Sequence, residues 1–314
     1  MVRWDTDDRP ATLYTRLYVL GMRLSRDKRA FEGVQQTLRI AKKRQRAGDA
    51  PPTSLTRLST RVSRSRTAGM TVWTLRPRRG RPVARVVYVH GGGYVHPLSA
   101  DYWRLVRTLA DTPAEVVVPA YPLAPDATVD DVLPRLLQAE AQGGRTDPRL
   151  PTILMGDSAG GALAIVMALR RRDLDERPLA GVVALSPWLD ATLDEEAVRD
   201  LEASDPMLAE SGLRAAGRWW AGVRTPSDPH VSPVQARLGG LPPLDVFIGA
   251  HDILRPAVDD LADRARHDGA DLHVHESPAM FHVWMTRAIP EGRRTRRELV
   301  RLVRHRAARF ARGA

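Results

Sequence analysis

Apolar positions along the chain change period several times, and each change predicts an element. From Leu13 to Ala47 the pattern is helical, with Leu13, Leu17, Leu20, Met22 and Leu24 leading into Phe31, Val34, Leu38 and Ile40 at three- to four-residue spacing. Gly48-Asp49-Ala50-Pro51-Pro52 reads as a loop, and two short strands are predicted at 57–65 and 70–76. A sharper rhythm follows. Dense runs rich in β-branched residues at 83–89, 115–118, 152–155, 179–185, 244–248 and 272–275 predict strands. Helical stretches at 102–109, 129–141, 159–170, 257–266 and 291–310 alternate with them. Strands of this kind separated by helices imply a largely parallel sheet covered on both faces, an α/β architecture. The alternation breaks once. Between Trp188 and Pro242 no strand is evident, and such an insert belongs at the strand ends, where a lid sits.

Charge alters the picture less than it first suggests. The 314 residues carry a formal +11, which invites a nucleic-acid reading. Residues 1–70 have a net +10 and residues 293–314 a net +8, so the stretch between them is −7. No nucleic-acid motif and no alternation of basic and aromatic residues accompanies the charge, so no nucleic-acid partner is expected. Cysteine is absent, which excludes disulfides, cysteine-ligated zinc and thiol nucleophiles. No apolar run is long enough to span a membrane, and the short Leu17–Leu20 stretch, flanked by arginines, is no secretory signal. The expectation is a cytoplasmic protein without integral membrane association. In the last helix, Leu299, Leu302, Val303, Ala307 and Phe310 form an apolar stripe among arginines. Packing on the sheet is its favoured reading, and contact with a membrane surface the rival one.

Gly156-Asp157-Ser158-Ala159-Gly160 fits G-x-S-x-G, with a predicted strand before it and a small-residue helix after it. Flanking glycines relieve crowding in such a turn and push the Ser158 hydroxyl out at a helix N-terminus, where developing negative charge is favoured. A plain glycine-rich turn is the competing reading, and the strand–helix context weighs against it. His90-Gly91-Gly92-Gly93 follows an earlier strand. Its glycines suit bare N–H groups that approach a ligand atom and, with the N–H of Ala159, make an oxyanion hole. A nucleophilic serine needs a base, and the base an orienting acid. Asp252 lies where the 244–248 strand runs into a loop, and His282 lies just past the next strand. Asp259, Asp260 and Asp263 fall on a helix, Asp245 starts its strand, and His251 precedes Asp252. His273 and His275 alternate within a strand and are expected on one sheet face.

These motifs, His90-Gly91-Gly92-Gly93, Gly156-Asp157-Ser158-Ala159-Gly160-Gly161, Asp252-Ile253-Leu254 and Phe281-His282, resemble in order and spacing the hormone-sensitive-lipase-like family of α/β-hydrolases over about residues 70–312. The resemblance implies an α/β-hydrolase fold, a mostly parallel eight-stranded sheet flanked by helices, with a helical cap. It implies the N-terminal part of that cap at 1–50, hydrolase core at 51–189, a cap insert at 190–235 and the rest of the core at 236–314. It also implies a carboxylesterase with Ser158, Asp252 and His282 as triad and Gly92, Gly93 and Ala159 as oxyanion donors. Neither a cofactor nor a metal is expected. Two departures from the family pattern stand out: Tyr121-Pro122-Leu123-Ala124-Pro125-Asp126 lacks an arginine, and Ala279 precedes the histidine segment where the family has glycine. Met207 and Trp219 in the insert and Trp284 near the histidine suggest an apolar pocket. Tyr94 and Asp157, beside the glycine motifs, complete the candidate substrate-binding set. The expected partner is a small-molecule ester of short to medium acyl length, with a homodimer possible. A lactone, an N-acyl substrate or a non-catalytic ligand on the same scaffold are the alternatives.

Overall fold

The structure, a computed structural model, describes residues 1–111, 114–194 and 196–313. In chain order the strands are β1 (Val2–Thr6), β2 (Thr60–Thr67), β3 (Met70–Pro77), β4 (Ala84–Val89), β5 (Ala114–Ala120), β6 (Thr152–Asp157), β7 (Gly181–Leu185), β8 (Leu244–Gly249) and β9 (Leu272–Ser277). The helices are α1 (Leu13–Ser25), α2 (Val34–Ala47), α3 (Ser54–Ser59), α4 (Tyr102–Asp111), α5 (Val129–Thr146), α6 (Ala159–Asp173), α7 (Glu196–Glu202), α8 (Glu210–Ala221), α9 (Pro256–Asp268) and α10 (Pro290–Gly313).

One sheet of nine strands runs in the order β1-β9-β8-β7-β6-β4-β5-β3-β2, parallel except where β3 pairs β5 and β2 pairs β3. Strands β4 to β8 are buried at every position but Thr152, because helices cover both faces. Their side chains alternate between two cores. Val87, Val89 and Leu154 enter the core under α5, α6 and α9, while Val86, Tyr88, Ile153 and Met155 enter the one under α4 and α10. Strand order reverses between β6 and β4, so the chain ends of those strands open a crevice at the carboxyl edge of the sheet.

The eight-stranded expectation needs one strand more. Val2–Thr6, expected in the cap, instead lies parallel to β9, from Val2 opposite Leu272 to Thr6 opposite Glu276. The Met1 amine donates to the Ala270 carbonyl at 2.7 Å, the Trp4 indole donates to Glu276, and the Arg255 guanidinium lies over the Trp4 ring. The helical reading of 13–47 also breaks. Arg26 takes a left-handed conformation (φ 57°) and caps α1, a short 3-10 turn spans Asp27–Phe31, and Gly33 (φ 77°) starts α2. The strand expected at 57–65 begins late, because the Thr53 hydroxyl accepts from the Thr56 N–H and caps α3. The C-terminal stripe packs inward, with Leu299, Val303 and Ala307 buried against the sheet. Among the described residues no helix is long and apolar enough to cross a membrane.

Asp245, at the start of β8, is fully buried. Arg306 of α10 donates to its Oδ2 from Nε (2.9 Å) and Nη2 (2.7 Å), and His275 lies 3.2 Å from its Oδ1. Replacing the arginine with Leu strands a buried carboxylate. Arg306→Leu is expected to cost about 3–5 kcal/mol in urea unfolding, and Asp245→Leu/Arg306→Leu to recover much of that loss. An unchanged midpoint for Arg306→Leu would count against this anchor.

Candidate active site

The carboxyl ends of β4, β6, β8 and β9 carry the candidate residues. Ser158 follows β6 directly and is the N-cap of α6, at φ 52° and ψ −123°. A non-glycine residue in this region costs on the order of 1–3 kcal/mol and persists only where its surroundings fix it. Here its N–H donates to the Leu185 carbonyl at 2.8 Å, and its own carbonyl accepts from Gly161, Ala162 and Trp188. Gly160 makes the turn possible, since a Cβ there would overlap the carbonyl oxygens of Val89 and His90 at the end of β4. At this point the turn after β6 meets the end of β4 backbone to backbone.

The glycine loop after β4 is held from both sides. Gly91 donates its N–H to Asp157 at 3.0 Å, and the Tyr88 hydroxyl donates to the same carboxylate oxygen at 2.6 Å. Burial pushes the Asp157 carboxyl up to about 6, against the pull of those two bonds. His90 stacks on Tyr121 at 4.4 Å, and the Tyr121 hydroxyl donates to the His90 carbonyl at 2.8 Å. Burial lowers the His90 imidazole, which leaves it neutral, with Nδ1 2.8 Å from the Gly91 carbonyl. Gly92 (φ 104°) and Gly93 (φ 60°) then turn in a conformation that side chains disfavour, and the Phe31 ring packs where a Cβ of Gly93 would stand.

Asp252 and His282 meet directly. His282 Nδ1 lies 2.7 Å from Asp252 Oδ2, both groups buried. An ionised carboxylate only accepts, so Nδ1 carries the proton and Nε2 is left as the acceptor nitrogen. Burial alone would lower the His282 imidazole. Asp252 more than offsets it, with help from Asp205 and Asp157, and the net shift is upward. The second Asp252 oxygen accepts from the Leu254 N–H at 3.0 Å, which fixes the carboxylate plane.

Ser158 and His282 line one cleft of about 580 Å³, together with Gly92, Gly93, Asp157 and Met207. Distant parts of the chain complete its lining, Asp27, Ala30, Phe31 and Arg44 from the N-terminal region and Met207 and Leu208 from the 190–235 insert. Ala159 stands at the first turn of α6, next to Ser158. Three of the expected pocket residues do not line this cleft. Tyr94 is buried and stacks flat on Trp220 (4.3 Å, 2°) and against Trp188 (5.3 Å), wedging the glycine loop to α8. Trp219 packs half-buried against the core, while its neighbour Trp220 takes the interior place. Trp284 turns away to donate to Thr295 of α10 at 3.0 Å.

Sequence reasoning missed Asp205. Its Oδ1 accepts from Met207 and Leu208, and its Oδ2 accepts from Ile253, next to Asp252. Burial, with Asp252 adding to it, pushes Asp205 up to about 6. It thus ties the 190–235 insert to the loop that holds the acid. Ser204-Asp205-Pro206 carries the signal of an acid that caps its own turn, but nothing in it names the loop it reaches. Phe31 carried no signal at all, because only tertiary packing brings it over Gly93.

Known proteins share this fold. A family model for the alpha/beta hydrolase fold matches residues 86–286. An acetyl-hydrolase of Streptomyces hygroscopicus is 31% identical over 217 residues, 67% of this chain and 71% of that protein. An esterase of Acinetobacter venetianus is 30% identical over 216 residues, 65% of this chain and 70% of its own. Among solved structures, an esterase from the bacterial hormone-sensitive lipase family superposes with a TM-score of 0.80 at 25% identity, covering 95% of this chain and 99% of that one. The chain belongs to the hormone-sensitive-lipase-like family of α/β-hydrolases, a family of carboxylic ester hydrolases.

Proposed function

We propose that this protein is a serine carboxylesterase acting on short to medium acyl esters of small molecules, with Ser158 as nucleophile, His282 as base and Asp252 as its orienting acid. The observation that carries the reading is the buried 2.7 Å contact between His282 Nδ1 and Asp252, with Ser158 on the wall of the same cleft. The relatives named acetyl-hydrolase and esterase support the substrate class.

The Ser158 hydroxyl attacks the ester carbonyl while Nε2 of His282 takes its proton. Asp252 holds the tautomer and stabilises the imidazolium that forms. Negative charge on the former carbonyl oxygen meets the N–H groups of Gly92, Gly93 and Ala159, at the N-terminus of α6. His282 returns its proton to the departing alcohol. Water then attacks the acyl-serine by the same route and frees the acid. Helices α1, α2, α7 and α8 serve as the cap over this cleft, the core being 51–189 and 236–314 with β1 added to its edge. Phe31 and Met207 offer apolar contact to the ester in the cleft they line.

Ser158→Ala is expected to lower kcat on p-nitrophenyl butyrate by roughly 10⁴–10⁶ with little change in thermal unfolding. Near wild-type turnover by the purified variant would refute the assignment. The pH profile tests the electrostatics. His282 works as a base only when neutral, so activity falls as pH drops through its raised pKa. Asp205→Asn removes a negative charge that favours the imidazolium, so the acid limb of kcat/KM should move to lower pH. A limb that stays or moves upward would contradict the coupling.

A further inference from the structure

Helix α1 is amphipathic, yet it sits with its apolar stripe toward solvent. At 100° per residue, Leu13, Leu17, Leu20 and Leu24 share one narrow arc. They are 72%, 59%, 52% and 75% exposed. Thr15 and Met22, the buried residues of the helix, lie on the opposite side, where the Thr15 hydroxyl donates to Glu291. Tyr14 extends the exposed patch at 57%. The helix packs on the fold through Thr15, Met22 and the half-buried Tyr18 and Val19, so the four leucines are a second apolar face, left in water, and such a face marks an interaction surface.

The charge around the stripe says which. Arg16 and Arg23 flank it, no acidic residue stands on the helix, and residues 9–29 hold Arg9, Arg16, Arg23, Arg26, Lys28 and Arg29 against the single acid Asp27. Leucines bordered by arginines suit the boundary between acyl chains and anionic headgroups. A second copy of the chain suits them poorly. A two-fold contact through this stripe would set arginines against arginines, with no acid on the helix to receive them.

The stripe also has a position relative to the site. Across the Arg26 cap, α1 leads directly into Asp27, Ala30 and Phe31, which form the cleft wall. Along its flank, Val19, Leu20, Phe281 and Ala279 line a separate groove of about 450 Å³.

We propose that α1 is an interfacial docking helix, which binds the protein to an anionic lipid surface by inserting Leu13, Leu17, Leu20 and Leu24 between headgroups. Docked this way, the wall of the cleft formed by 27–31 lies at the lipid boundary, where amphiphilic substrate collects. The docking itself does not rest on the esterase reading, because binding uses none of the cleft residues.

The test is co-sedimentation of the full chain with vesicles of phosphatidylcholine alone and of phosphatidylcholine mixed with phosphatidylglycerol. The protein is expected in the pellet with the anionic vesicles and mainly in the supernatant with the neutral ones, with binding weakened by salt. Each buried leucine carries roughly tenfold in partitioning, so Leu17→Ser/Leu24→Ser should lower bound over free by about a hundredfold. Arg16→Glu should lower it too. Both variants should keep wild-type turnover of soluble p-nitrophenyl acetate, and Ser158→Ala should bind vesicles as the wild type does. Wild-type protein that stays in the supernatant with anionic vesicles would overturn the proposal. So would binding untouched by the leucine variant, or a dimer in sedimentation velocity that the leucine variant dissociates.

Discussion

Backbone meets backbone where β4 and β6 end, and the rest of the site depends on that contact. Gly160 lies so near the carbonyls of Val89 and His90 that no side chain fits between them. This crowding, with the Leu185 carbonyl holding the Ser158 N–H, keeps Ser158 at a positive φ it would not otherwise hold. It also sets the glycine loop after β4 beside the first turn of α6. Once those two strand ends are locked, Asp157 can accept from Gly91, and the Gly92–Gly93 segment can stand next to the serine. The folded sheet is the source of the geometry, and the strain at Ser158 is stabilised by the burial of the five central strands.

Acidic side chains finish what the backbone starts. Asp252, Asp205 and Asp157 all surround His282 from different elements, and each is buried. Burial works against charge on Asp157 and Asp205, and His282 gains from the negative charge of all three. All three also accept backbone N–H groups, Asp157 from the glycine loop, Asp205 from the segments at 207–208 and 253, and Asp252 from Leu254. The 190–235 insert is thus joined to the acid loop by hydrogen bonds as well as by packing, and a shift of the insert would be felt at the imidazole.

Much of this was legible in the sequence, for physical reasons that also explain the gaps. Strands such as Gly181–Leu185 are buried on both faces, so they read as unbroken apolar runs, and Ala84–Val89 departs from one only at Arg85, which pairs with the buried Glu115. The glycine motifs read clearly because no other residue fits those contacts. Val2–Thr6 escaped notice because it is a short edge strand paired on one side, and its alternation of Trp4 with Arg3 and Asp5 is a weak signal. The break at Arg26 gave no sign, since a left-handed residue that is not glycine has none to give. Tyr94, Trp219 and Trp284 are expected in the pocket from their places beside a glycine motif, in the insert and near the histidine. An aromatic ring near a motif is as useful in stacking the loop to its neighbours as in touching substrate, and only the packing distinguishes the two. The leucines of α1 are the reverse case: their period was plain, but the period of a helix does not say which way its stripe faces.

The central claim is that Ser158 is the activated nucleophile of this cleft. Its most direct test is mass spectrometry of the protein after treatment with a fluorophosphonate, which captures a serine that a neighbouring base has activated. The account predicts a single adduct on the peptide containing Ser158, absent when His282 is replaced by Ala. A protein that takes up no phosphonate, or takes it up on another serine, would contradict it.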